Sequence, residues 1–565
     1  MVLLIKRLLF FLCAATLSGF VISVDGVVFD EQDFYSKYSK SEWVRSSPNQ
    51  KGRILNDYIK RESAALDALD RGFLYSPPLF VDLINRRNQL LVNFVYDYLV
   101  AFPLVSKDVL TLAKTNLKTD VFLRHILISH SESILSSPPS ISKEEALFFI
   151  ESLRDSLSFG LSDFNAFAKK YSNDPSAKKN SGVLGWLQWG VTPMSFQSMV
   201  WSLSPGDVSS VIETDYGFHL VVVDSLRSSE FFEYDEDSYE YAALRSSLVS
   251  VRDLLKDASL AYDQEVLGER VFFYLSEVDL LFDLIHSEKE TLLSSGKTFN
   301  LGGFLSSLDS RLVVCRVDGK DYGVRWFLPP LSQIPNSRIP VFKNPEDIVV
   351  FFKMLVMQKI AIREGLDMGL PDRLFFKKRL GVEKSKLLYD ALLKDLVNSV
   401  PLPDSSSVLL YYNNNKNEKY YDPEKVVVRQ IKVESKSLAD SLFGLVSVDP
   451  SAFKSLASGF SINRSEKEGL MEPFERGKYN YMGEVAFKLN VGEISSPIEN
   501  LDRSFSIIVL ENRIEGQFVS FDRVYKRIES LLIKNQQEEI KVKTFNDYIN
   551  SPVLTVGEKY EKYIN

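Results

Sequence analysis

The sequence predicts an α+β multidomain protein in which helical segments alternate with two small antiparallel sheets covered by helices. Three observations predict it. At 565 residues the chain exceeds a single core and implies roughly three to five domains. Between Val121 and Ser228, β-prone runs at both ends enclose amphipathic helical patterns. The same pattern then returns between 426 and 515, with helical stretches before and between the two copies. Apolar residues make up 45% and charged residues 25%, an ordinary globular balance that excludes wholesale disorder. A net charge of −8, spread along the chain, gives no basic footprint for nucleic acid.

Residues 1–25 open with Lys6 and Arg7 and continue in an apolar run from Leu8 to Val24, the layout of a secretory signal. Ser18, Ser23 and Gly26 offer cleavage points. The run sits at the short edge of a spanning helix, so a cleaved signal and a retained membrane anchor both fit. Beyond it only Cys315 remains, within LVVCRV, a strand-like apolar run that buries it and leaves it no internal disulfide partner. No Cys/His cluster exists for a metal, and no cofactor motif is present.

Residues 26–118 form a helical segment. Apolar positions recur at helical spacing after the Pro77–Pro78 start, and Ser106 is placed as the N-cap of a short helix. In residues 119–228, Val121, Leu123, Ile126 and Ile128 mark an opening strand, and His219–Val223 a closing one. Helices are expected at 143–157, 163–171 and 195–203, with a third strand entered between Gly182 and Gly185. Each end of this unit carries a histidine, in a chain that has only four.

Residues 229–310 read as a helical linker after the acidic, aromatic FFEYDED. In 311–420, two β-prone runs flank Asp318–Gly319, a hairpin signal; helices follow at 345–366 and 383–399, and the Asn-rich 413–419 reads as a polar loop. Residues 421–515 repeat the earlier unit. VVVRQIKVES answers VFLRHILISH, and AFKLNVGEISSPI answers VWSLSPGDVSSVI. The polar positions differ: Gln430 replaces the first histidine, Ser506 (or Phe505, without a one-residue gap) the last, and Asn463 replaces Asp174. Residues 516–565 end in a long amphipathic helix, expected to pack back on the N-terminal helices.

The ordered motifs RHILI, FAKKYSND-S, G-LGW, L-PG-VS and YGFHLV resemble the parvulin family of peptidyl-prolyl isomerases. The helical segments around them resemble the chaperone parts of SurA-, PrsA- and PpiD-type envelope foldases. The resemblance implies an isomerase and chaperone acting on unfolded or extended clients with X-Pro bonds in a bacterial periplasm, soluble or anchored to the inner membrane by the N-terminal segment. The alternative is a non-catalytic holdase that uses both units to bind peptide.

By resemblance, the polar centre is His125, Asp174 and His219 with Thr214 bridging, and the proline socket is Leu184, Thr192 and Phe196 with Trp186 nearby. The family usually has Met where Thr192 stands, so Met194 is a candidate to fill the socket. Two adjacent imidazoles cannot both be charged cheaply, so both rings are expected neutral and joined through a hydroxyl. No basic pair follows His130, which implies unmodified X-Pro as the substrate.

Overall fold

The computed structural model describes residues 20–157, 162–309 and 311–564. The chain divides into two compact units: residues up to 394 together with 544–565, and residues 395–543.

The first unit begins with Phe20–Val24 in a three-stranded antiparallel sheet, between Val27–Asp30 and the late strand Leu554–Val556. Val21 and Ile22 are fully buried there, among Phe34, Trp43, Tyr58 and Tyr560. This corrects the boundary expected for 1–25. Residues 1–19 lie outside the described residues, but the end of the apolar run is a core strand. It also amends 516–565, where a strand and a short helix, Glu558–Glu561, follow the long helix. The end of that helix does meet an N-terminal helix, since the Tyr548 hydroxyl donates to Asp67 at 2.5 Å.

The helix Pro48–Asp70 starts in a Ser47/Gln50 capping box with Pro at its first position. The helix Pro77–Tyr96 packs on Pro345–Asp367 so closely that a Cβ on Gly365 would lie 2.9 Å from Leu91. The expected hairpin forms, with Asp318 and Gly319 both at positive φ between Val313–Val317 and Lys320–Gly323. Its third strand, Val271–Phe273, comes from the stretch read as a helical linker. Cys315 is fully buried in that sheet.

The first sheet of interest runs Val183–Leu187, Thr119–Ile128, Gly217–Ser228, Ile212–Thr214 in spatial order, all neighbours antiparallel. Side chains alternate across it. Ile126, Ile128, Phe218, Leu220 and Val222 face the helices Lys143–Ser156 and Ser162–Tyr171. Val121, Leu123, Val221 and Val223 face the short helix Met194–Val200.

The second unit holds a sheet of the same plan: Phe474–Glu475, Lys425–Val433, Phe505–Ile514, Ile498–Glu499. The expected polar loop at 413–419 is instead the end of a helix, Ser405–Lys419. Val408 and Tyr412, one turn apart, bury themselves with Tyr420, Val524 and Ile528, and so override the weak helix propensity of the asparagines.

Candidate active site

The opening strand carries His125 on the face of Val121 and Leu123, and the closing strand carries His219 on the same face. Register sets His125 opposite Val221 and His219 opposite Leu127, so the two imidazoles are diagonal neighbours. Their rings stack with centroids 5.6 Å apart and 22° between planes, and their Nδ1 atoms lie 3.3 Å apart.

Asp174 follows the helix Ser162–Tyr171 on a loop stitched to the opening strand. Ser172 Oγ accepts from the Leu127 amide at 3.0 Å, and the Asn173 amide donates to the Leu127 carbonyl at 2.7 Å. This places Asp174 Oδ2 2.7 Å from His125 Nε2, while Oδ1 accepts from the Ser176 amide and hydroxyl at 2.8 Å each. At the other end, Thr214 Oγ1 lies 2.7 Å from His219 Nε2.

Gly182 fixes the edge of this arrangement. The His125 amide donates to its carbonyl at 2.8 Å, its φ is +78°, and a Cβ there would sit 2.2 Å from the His125 carbonyl oxygen.

The four groups form a chain with one consistent proton direction. An ionised carboxylate only accepts, so His125 carries its proton on Nε2 and presents a lone pair at Nδ1. His219 then donates from Nδ1, and its Nε2 accepts from the Thr214 hydroxyl. Both rings are neutral in this scheme. Burial pushes His219 down to about 3, with the neighbouring His125 acting in the same direction. Burial also lowers His125, although Asp174 opposes it. Burial raises Asp174, but the bonds from His125 and Ser176 outweigh that and hold it below the usual carboxylate range.

The structure thus brings His125, Asp174, His219 and Thr214 together, with one correction. The imidazoles meet directly, and Thr214 caps the far end instead of bridging them.

The socket residues divide. Phe196 is buried with its ring edge-on to His219, at 5.4 Å and 80°. Leu184 is left exposed beside Gly185, whose φ of +85° accompanies a register shift in the strand. Trp186 does not face the histidines. It packs on Phe122 and under the Arg227 guanidinium, which lies 4.3 Å from its centroid, on the opposite face of the sheet. Met194 does not fill the socket either, because it packs with Ala113, Leu117, Trp189 and Ala243. Thr192 holds a buried hydroxyl oxygen with no hydrogen-bond partner. Sequence reasoning missed Ser172 and Ser176, although two serines flanking an Asn-Asp turn are the local signal for such side-chain-to-backbone bonds.

The second sheet repeats the bonds that tie its opening strand to the neighbouring loops. The Gln430 amide donates to the Gly469 carbonyl at 2.8 Å, and Gly469 has φ +78° and a Cβ position 2.2 Å from the Gln430 carbonyl oxygen. Ser461 Oγ accepts from the Lys432 amide, as Ser172 does from Leu127. Lys432 pairs with Ser506 as Leu127 pairs with His219, so Ser506, not Phe505, stands in the place of His219. Asn463 therefore replaces Asp174, Gln430 replaces His125 and Asn500 replaces Thr214. Gln430 Nε2 donates to Ser506 Oγ at 2.7 Å, and Asn500 Nδ2 donates to the same oxygen at 2.8 Å.

Comparison with known proteins agrees with this repeat. Residues 109–226 and 403–526 each match a family model described as a PPIC-type PPIase domain. Both matches begin near the helix that precedes each sheet, Lys107–Asn116 and Ser405–Lys419. The foldase protein PrsA of Geobacillus kaustophilus is 33% identical over 104 residues, 17% of this chain and 37% of that protein. The chaperone SurA of Ralstonia nicotianae is 32% identical over 127 residues, 22% of this chain and 24% of that protein. Each match thus spans less than half of the relative's own length. A Campylobacter jejuni structure, described among SurA-like chaperones, covers 42% of this chain and 96% of its own at 22% identity, with a TM-score of 0.32. The chain contains two PPIC-type PPIase domains, homologous to those of the SurA and PrsA foldases.

Proposed function

We propose that the chain is an exported peptidyl-prolyl cis-trans isomerase and folding chaperone, with catalysis confined to the first PPIase domain. The observation that carries this reading is the continuous chain Asp174–His125–His219–Thr214, present in the first domain and replaced at every position in the second.

Rotation about an X-Pro bond breaks amide resonance, and the barrier is roughly 18–20 kcal/mol. No covalent step is required. A site lowers the barrier by holding the twisted amide better than either planar form. Phe196 offers an apolar wall beside His219 for the ring. Asp174 supplies a fixed negative charge at one end of an uncharged, buried network, so the field at the substrate amide does not depend on reorganising water. Direct contact between the imidazoles keeps both rings in one orientation. The clients are unfolded or extended chains with unmodified X-Pro bonds in the cell envelope, reached through the apolar N-terminal run.

The test is refolding of a proline-limited client with the full chain, alongside suppression of its aggregation. The full chain accelerates the slow phase, and Asp174→Asn reduces that acceleration by about tenfold or more. Protection from aggregation, assigned to the helical segments, stays at the level of the parent chain. A parent chain without effect on the slow phase overturns the isomerase reading.

A further inference from the structure

The helix Met194–Val200, which carries Phe196 to the histidines, is too short to hold itself in place. Its lead-in turn packs on two helices from outside the PPIase sheet. Trp189, 2% exposed, shares a buried cluster with Ala113 and Leu117, at the end of the helix Lys107–Asn116, and with Ala243 of the helix Glu236–Ser247. The next residue, Gly190, has φ +92°, and a Cβ there would lie 2.6 Å from Cβ of Ser246 on the second of those helices. The two helices are joined in turn, since the Tyr239 hydroxyl donates to the Lys114 carbonyl at 2.6 Å.

The short helix is gripped at both ends from this turn. Near its start, the Gly190 amide donates to Oε1 of the fully buried Gln197 at 2.8 Å, and Met194 packs against the same cluster as Trp189. At its end, Trp201 meets Trp189 edge-on, at 5.4 Å and 86°, and donates from Nε1 to the Thr119 carbonyl at 2.9 Å. Phe196 lies between the two grips. The Trp189 Nε1 has no hydrogen-bond partner, so the ring is held by apolar fit. The second domain has no such wedge. Its register puts Arg476 at the corresponding position, with a side chain 57% exposed and stacked over Phe487 at 4.7 Å.

We infer that Trp189 is a positioning residue for isomerisation: wedged against the helices Lys107–Asn116 and Glu236–Ser247, it fixes the helix Met194–Val200 and so sets Phe196 against His219. This rests on the reading of the first domain as the isomerase. A close-packed interior passes displacement on, so losing the wedge shifts the wall that receives the proline ring. The chain Asp174–His125–His219–Thr214 is built on the strands and the 172–176 loop, and it keeps its geometry. Loss of the wedge therefore weakens capture of the X-Pro segment more than it slows the bound amide. The flanking helices thereby serve as scaffold for the isomerase as well as for chaperone action.

The experiment measures X-Pro isomerisation against peptide concentration for full chains carrying Trp189→Ala or Trp189→Phe. Trp189→Ala raises KM by about tenfold or more and leaves kcat within about twofold, while Trp189→Phe, which keeps an apolar ring, returns KM to near the parent value. A lower kcat at unchanged KM is what a smaller folded fraction produces, and it overturns the inference, as does full parent behaviour in Trp189→Ala. A second measurement needs no turnover: the ring 13C–1H signal of His219 in chains made with labelled histidine. Phe196 lies edge-on to that ring, so the signal moves in Trp189→Ala and returns in Trp189→Phe. A parent chain that does not isomerise overturns the isomerase reading, and the histidine signal then decides the placement of Phe196 by itself. Ala243→Leu crowds the same cluster from the helix side; if Trp189→Ala does not fold, a raised KM in this variant sustains the inference and an unmoved one overturns it.

Discussion

His219 is held neutral because its ring is buried against Phe196 and His125, and the same burial makes it a liability in acid. Its folded pKa, about 3, lies below the ordinary 6.5 of an unfolded chain. Below pH 6.5 the unfolded state binds the extra proton, so stability is full above that value and is lost as pH falls toward 3. At pH 5 the loss from this one group is about 2 kcal/mol. His125 shifts in the same direction and adds to it. Melting temperatures measured from pH 7 to pH 5 should therefore fall, and His219→Gln should flatten that slope while abolishing isomerisation. Parallel slopes in parent and variant would contradict neutral burial. At this scale the sequence was legible for His125, Asp174 and His219, which sit in recognisable motifs, and less so for Thr214, which lies outside them. It was silent on orientation. Trp186 and Leu184 are two residues apart on one strand, and the bulge at Gly185, not strict alternation, governs what each meets. Nor does a sequence show that Met194 is claimed by Ala113 and Trp189 before it can reach the socket.

Each sheet is closed at one edge by a glycine that no other residue can replace cheaply. Gly182 and Gly469 share a φ of +78° and the same 2.2 Å approach to a carbonyl oxygen on the opening strand. Alanine at either position adds left-handed strain of about 1–3 kcal/mol and pushes the strand outward. Gly182→Ala should lower both thermal stability and isomerisation, because the displaced carbonyl belongs to His125. Gly469→Ala should lower stability by a similar amount and leave isomerisation unchanged. Loss of isomerisation in the second variant would contradict the division of labour between the domains. The elements legible in sequence were those with sustained periodicity: the paired long strands, the helices at 143–156 and 345–367, and the hairpin at Asp318–Gly319. Three were missed for physical reasons. The three-residue strands Val271–Phe273 and Leu554–Val556 are too short to show alternation, and the helix ending at Lys419 is held by buried Val408 and Tyr412, not by its asparagines.

Across the whole molecule, two copies of one framework have been given different chemistry. The repeat was legible because apolar spacing survives in both, and the family matches at 109–226 and 403–526 cover both. The N-terminal boundary was not legible, since a continuous apolar run reads alike as a signal core or a buried strand. The pairing of Phe20–Val24 with Val27–Asp30 and with Leu554–Val556, the latter more than 500 residues along the chain, marks that end of the run as a strand. In the proposed division of labour, the first domain alone isomerises X-Pro bonds. The most direct measurement is the cis-to-trans rate of an X-Pro peptide with full chains carrying His125→Ala or Gln430→Ala, the two residues at one shared position. His125→Ala should abolish the acceleration, and Gln430→Ala should leave it at the parent rate. Acceleration that survives His125→Ala, or falls with Gln430→Ala, would contradict it.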